Sequence, residues 1–172
     1  MRIEISEFVE CARQAVGLTV IIDVFRAFSL ECYAIDAGAS RIIATATPGE
    51  AFRLREIYRG SLLAGERNEM KIQGFDFGNS PTEIIKSDLT GRTLIHTTTA
   101  GTAGLVSAVN ADMIITGSLV NASAVAGFIR ERKPGRVSLV AMGYRACISA
   151  EEDLVCARYI KSLAEGRNEN FD

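Results

Sequence analysis

Apolar residues along the chain gather in short β-branched runs separated by longer amphipathic stretches. The runs lie at residues 18–22, 41–44, 61–64, 93–95, 113–115 and 137–140. Nearly every position in them is apolar, the pattern of strands covered on both faces. The stretches between them have helical periodicity and start signals. Thr47-Pro48-Gly49-Glu50 and Ser80-Pro81-Thr82-Glu83 each combine a capping box with proline at the first helical position. Ser149-Ala150-Glu151-Glu152 repeats the box ahead of a helix over 153–164, while Gly38 and Gly60 close the second and third helical units. This alternation predicts one domain over residues 1–172, a three-layer α/β/α arrangement with a mostly parallel sheet of about six strands. One stretch breaks the rhythm. Residues 65–80 form a glycine-containing connection where a short turn would suffice, and such loops are often functional. Residues 71–81, which overlap its second half and end at Pro81, are expected to belong to a ligand site.

Composition narrows the setting. The 172 residues are 48% hydrophobic and 23% charged, with a net charge of −2, so no basic field exists to hold nucleic acid or an anionic membrane. Cys11, Cys32, Cys147 and Cys156 have neither metal-type spacing nor the density of a disulfide scaffold, and are expected to be reduced. The acidic first residues do not read as a signal peptide, and no apolar run approaches the ~20 residues of a membrane span. A cytoplasmic domain is expected, with residues 166–172 as a frayed polar tail.

Polar residues follow the strand runs. Asp23, Arg26 and Ser29 follow the first; Gly65, Glu66 and Arg67 the third; His96, Thr97, Thr98, Thr99, Gly101 and Thr102 the fourth. Thr116, Gly117, Ser118 and Asn121 follow the fifth, and Gly143, Tyr144, Arg145, Glu151, Glu152 and Asp153 the sixth. Parallel strands bring these ends to one edge, where open α/β sheets bind ligands and helix N-termini favour anions. Each group also has a plainer reading. Asp23 could serve as metal ligand or base, or cap a helix and pair with Arg26. Glu66 and Arg67 could be a site pair or a surface ion pair. The threonine run through Gly101 and Thr102 could cradle an anion or merely continue a strand into a turn. Asn121 and Ser123 could bind or cap. Glu152 and Asp153 could hold magnesium or simply favour a helix N-terminus. His96 reads as structural.

Several reaction types are excluded. There is no GxxxxGK[ST], no GxSxG and no cysteine with arginine six residues on. Asp23 lacks a second acid two residues later, and one histidine cannot build a histidine-rich metal site. Carboxylate, hydroxyl, amide and arginine chemistry remains, which suits Mg²⁺ bound through oxygen beside a phosphate.

The blocks Ile22-Asp23-Val24-Phe25-Arg26-Ala27-Phe28-Ser29, Gly65-Glu66-Arg67 and Gly74-Phe75-Asp76-Phe77-Gly78-Asn79-Ser80-Pro81 resemble the 2-phosphosulfolactate phosphatases. Thr97-Thr98-Thr99-Ala100-Gly101-Thr102, Gly117-Ser118-Leu119-Val120-Asn121-Ala122-Ser123 and Ser149-Ala150-Glu151-Glu152-Asp153 extend the likeness in the same order. The resemblance implies a Mg²⁺-dependent α/β enzyme that removes phosphate from 2-phospho-3-sulfolactate on the route to coenzyme M. It makes Asp23, Glu66, Asp76, Glu152 and Asp153 candidate metal ligands or acid–base groups. Arg26 and Arg67 would face the anionic groups of a small substrate, with hydrogen bonds from Asn79, Ser80, Thr98, Thr102 and Asn121. The family usually has asparagine at Ala100, has a glycine-rich turn in place of residues 142–147, and continues for several tens of residues more. These departures raise a second expectation, a non-hydrolytic paralogue that binds a small anionic metabolite. Apolar surface left by a shortened end points to a homo-oligomer.

Overall fold

The computed structural model describes residues 1–167, so most of the expected tail, residues 168–172, lies outside the described residues. In chain order the elements are β1 (Arg2–Glu7), α1 (Phe8–Gln14), β2 (Gly17–Ile22), α2 (Ala27–Asp36), β3 (Arg41–Ala44), α3 (Pro48–Ile57), β4 (Leu62–Arg67) and β5 (Met70–Lys71). They continue as α4 (Pro81–Ile84), β6 (Thr93–Thr97), α5 (Gly101–Ser107), β7 (Ala111–Gly117), α6 (Ala122–Arg132), β8 (Arg136–Ala141) and α7 (Glu151–Ala164). All six expected strands form, and the mostly parallel α/β class holds. The strands divide, however, into two four-stranded sheets, β1-β8-β2-β7 and β3-β6-β4-β5, rather than one sheet of about six.

The two added strands explain the difference in number. In β1, Ile3 and Ile5 alternate with Arg2, Glu4 and Ser6, so no continuous apolar run marks it. It nonetheless pairs in parallel with β8 along its whole length. The two-residue β5 turns back antiparallel on the end of β4, within the connection that looked like a long loop. The sheets are separate because helices share the space between them. Ala27 and Phe28 of α2 pack with Ile21 and Val140 of the first sheet, whereas Leu30 and Ala34 pack with Ala64 and Leu94 of the second. Helices α6 and α7 cover the other face of the first sheet through Val125, Ile129, Cys156 and Ile160. On the second sheet, Ala51 and Leu54 of α3 pack against Leu63 and Ile95.

The caps hold unevenly. Thr47 accepts a hydrogen bond from the Glu50 N–H at 3.2 Å, as expected of a capping residue. Ser80 occupies the N-cap position of a four-residue helix, but its hydroxyl pairs with Thr82, and Glu83 accepts instead from the Gly78 N–H. The cap of α7 is Ala150, so the Ser149 box does not form.

Gly65 fixes how closely β4 and β6 approach where the site begins. Its φ is +153°, and a Cβ there would stand 2.0 Å from the Thr97 carbonyl oxygen. Gly65→Ala is expected to cost about 3 kcal/mol or more in denaturant unfolding, because the obstacle is backbone and cannot rotate away. A loss under about 1 kcal/mol would mean that the strands separate more easily than this packing allows.

Candidate active site

The C-terminal strand ends of both sheets meet around a cavity of about 110 Å³. From the first sheet come Asp23 after β2 and the turn Gly143-Tyr144-Arg145 after β8. The second sheet contributes Glu66 from β4, Asn68 and Glu69 from the β4–β5 turn, and Thr99 and Ala100 after β6. Asn79, Arg26 beside the cis peptide Phe25–Arg26, and Glu152 and Asp153 at the start of α7 complete the wall.

Asp153 is the most constrained of these. Its two carboxylate oxygens accept from the Val24 N–H at 2.7 Å and the Gly143 N–H at 2.9 Å, joining the chain as it leaves β2 and β8. Burial pushes its carboxyl up to about 6, against those two donors. Asp23 is pushed up to about 7, first by burial and then by the neighbouring Asp153 charge. The Ala27 N–H, donating to its Oδ1 at 3.1 Å, and His96 pull the other way. Gly101 is needed here: a Cβ would lie 2.8 Å from both Asp23 Oδ2 and Ala27 Cβ.

Glu66 serves as a clasp. Its carboxylate accepts from the Thr99 N–H at 2.7 Å, the Thr99 hydroxyl at 3.2 Å and the Glu69 N–H at 2.8 Å. Glu152 makes none of the side-chain hydrogen bonds found among the described residues. Across the mouth, the Tyr144 hydroxyl donates to Glu69 Oε1 at 2.7 Å, and that carboxylate raises the phenol above its ordinary value. Both turns hold two consecutive non-glycine residues at positive φ, Asn68-Glu69 and Arg145-Ala146. The Arg145 guanidinium lies over the Tyr144 ring, and neither it nor Arg26 pairs with a carboxylate among the described residues.

Of the residues expected at the site, Asp23, Arg26, Glu66, Asn79, Glu152 and Asp153 come together. The others stand outside the wall. Arg67 is committed to backbone, donating to the Ala46 and Glu66 carbonyls and to Thr97 Oγ1. Asp76 accepts from the Leu63 N–H at 2.8 Å and faces Arg55 at 3.5 Å, so it fastens the 72–80 segment to β4. Ser80 bonds Thr82, while Thr98 and Thr102 cap each other's N–H groups at the start of α5. Asn121 closes its own loop onto Ser118 and Thr116, and Ser123 is exposed on α6. Within 71–81, only Asn79 reaches the cavity. Sequence reasoning did not assign Asn68 or Glu69 to the site; an Asn-Glu pair after a strand is a turn signal, but nothing in it marks a wall.

Chemically, the cavity sets five carboxyl groups (Asp23, Glu66, Glu69, Glu152 and Asp153) against two guanidinium groups. A family model described as 2-phosphosulpholactate phosphatase matches residues 5–172. The chain belongs to the 2-phosphosulfolactate phosphatase family. Family members named probable 2-phosphosulfolactate phosphatase include one from Carboxydothermus hydrogenoformans, 39% identical over 95% of this chain and 67% of the relative. Others come from Bacillus subtilis, 33% identical over 88% of the chain and 65% of the relative, and Thermotoga petrophila, 36% over 89% and 65%. The chain thus spans about two thirds of the length of these relatives.

Two variants separate wall from scaffold. Asp23 has a folded-state value above its ordinary one, so its contribution to stability is complete below about 4 and lost as pH rises through about 7. In EDTA, Asp23→Asn is therefore expected to raise stability at pH 8 by about 1–3 kcal/mol, with the gain vanishing towards pH 4. A gain that grows as pH falls would contradict this placement. Asp76→Ala should lower stability by about 1–3 kcal/mol, since it leaves the Leu63 N–H unpaired, and should leave inorganic phosphate affinity unchanged in calorimetry. Lost phosphate binding at unchanged stability would return Asp76 to the site.

Proposed function

We propose that the chain is a Mg²⁺-dependent phosphatase acting on 2-phospho-3-sulfolactate or a related small phosphorylated organic acid. One observation carries this reading: two buried carboxyl groups, Asp23 and Asp153, both hold their protons more tightly than usual, Asp23 partly because of the Asp153 charge, beside two guanidinium groups with no carboxylate partner among the described residues. An anion entering alone would meet an excess of negative charge. A divalent cation removes that conflict, and Mg²⁺ needs only one or two carboxylates when substrate oxygens and water complete its shell. The residues fit this limited demand, although no cluster of three or more such ligands forms among the described residues. Asp23 and Asp153 would hold the ion, which would supply charge neutralisation at the phosphoryl oxygens.

The chain's own residues account for the rest. Arg26 and Arg145 bind the anionic oxygens of the substrate, whose acid groups lie beside the phosphoryl group. Glu152, without a side-chain hydrogen bond, accepts a proton from the attacking water. Glu66 holds the Thr99 loop against the β4–β5 turn and so fixes the wall behind the phosphoryl group. The Tyr144–Glu69 hydrogen bond narrows the entrance. Cytoplasmic location and a place on the route to coenzyme M follow from the same reading, and an assembly of several copies suits the exposed Met113 and Ile114 of edge strand β7. No described helix is long and apolar enough to cross a membrane.

A second reading has its own observation. Ala100 lines the cavity. A side chain without a hydrogen-bonding group there suits a protein that binds a small anion without hydrolysing it.

Phosphate release from 2-phospho-3-sulfolactate is expected to stop in EDTA and return with Mg²⁺. Mg²⁺ should also raise the melting temperature of the native chain but not that of Asp23→Asn. Turnover indifferent to EDTA would overturn the metal; calorimetric binding of the substrate without turnover would favour the second reading.

A further inference from the structure

The buried polar side chains behind the cavity form a line. The His96 ring is fully buried at the end of β6, and Glu31 on α2 and Asn79 are nearly so. His96 Nδ1 lies 2.9 Å from Glu31 Oε1, and Nε2 lies 3.3 Å from Asn79 Oδ1. Both partners are acceptors, since an ionised carboxylate and an amide oxygen have no proton to give. With the amide oxygen turned to Nε2, both contacts are satisfied when each ring nitrogen donates, one to Glu31 and one to Asn79. Asn79 then has its oxygen turned to the ring. Among the described residues no protein group accepts from its Nδ2, and Asn79 lines the cavity.

We propose that His96 is a positioning residue: held by Glu31, its charged ring orients Asn79 so that the Nδ2 amide donates to anionic oxygens in the cavity. The amide of an asparagine is ambivalent. Turned one way it presents a donor suited to phosphate or sulfonate; turned the other it presents an oxygen that would repel them. A neutral ring with its proton on Nδ1 would leave Nε2 as an acceptor, and Asn79 would turn its nitrogen towards it and its oxygen to the cavity. The ring charge thus decides what the cavity shows. This inference rests on the reading of the cavity as an anion site.

His96 is the single histidine of the chain, so its ring nitrogens give unambiguous signals in protein labelled with ¹⁵N-histidine. Both nitrogens are expected to be protonated at pH 7 in the ligand-free native protein; a neutral ring overturns the proposal. Binding of inorganic phosphate in Mg²⁺ buffer, followed by calorimetry, gives the functional half. Glu31→Gln should leave the ring neutral and weaken phosphate about tenfold, as should Asn79→Ala, because each removes one charge-assisted donor. The double variant should bind no more weakly than Asn79→Ala alone, since Glu31 acts only through Asn79. Additive losses overturn the proposal and leave the anion site standing. Native protein that binds no phosphate overturns both. A merely structural role for Glu31 would lower the melting temperature without producing the non-additivity.

Discussion

The Asp153 carboxylate accepts two backbone N–H groups at once, and the site is arranged around that demand. Val24 and Gly143 donate to it after the chain has left two neighbouring strands, where ladder hydrogen bonds no longer satisfy them. Keeping both bonds requires an ionised group in a place that water barely reaches. Asp23 shares the tension: burial first, and then the Asp153 charge already committed to backbone beside it, raise its proton affinity. Gly101 and Ala27 close on Asp23 from the other side, so neither carboxyl can relax by moving apart. Strand geometry thus concentrates negative charge at one sheet edge.

That arrangement also explains why charge at the cavity departs from charge over the whole chain. A net charge of −2 is bland, and its average conceals a pocket where carboxyl groups outnumber guanidinium groups. Arginines near the site divide by what they touch. Arg67 is bound to carbonyls and has lost part of its solvation, while Arg26 and Arg145 face the cavity without carboxylate partners among the described residues. The free pair has the freedom to follow a ligand, and the bound one has exchanged that freedom for holding a strand end.

Much of this was legible in the sequence. Continuous apolar runs located six strands, and the rule that parallel strand ends share an edge placed Asp23, Glu66, Glu152 and Asp153 together before any coordinate. Periodicity could not reveal β1, whose edge position lets polar residues alternate with Ile3 and Ile5. Nor could it reveal two sheets, because the cause is packing: α2 turns Phe28 to one sheet and Leu30 to the other. Motif membership does not by itself separate residues that line the cavity from residues that hold the scaffold. Asp76 and Asn79 stand three residues apart in one block, yet one tethers a strand and the other lines the cavity. The difference comes from side-chain direction in an irregular segment, which spacing does not encode. His96 read as structural from its position, and its place behind Asn79 depends on contacts across three elements.

The rim of the cavity is built from two turns seventy-five residues apart, meeting at Tyr144 and Glu69. Neither turn carries sheet hydrogen bonds that the core needs, so the selectivity of the entrance can change while the strands stay as they are. The left-handed backbone at Asn68, Glu69, Arg145 and Ala146 limits that drift. Residues branched at Cβ are costly there, whereas glycine, asparagine and aspartate are tolerated. Relatives that diverge in what they admit should therefore differ at the rim through a small alphabet, one favouring short polar side chains and bare backbone. Evolution at this mouth is free in chemistry but narrow in shape.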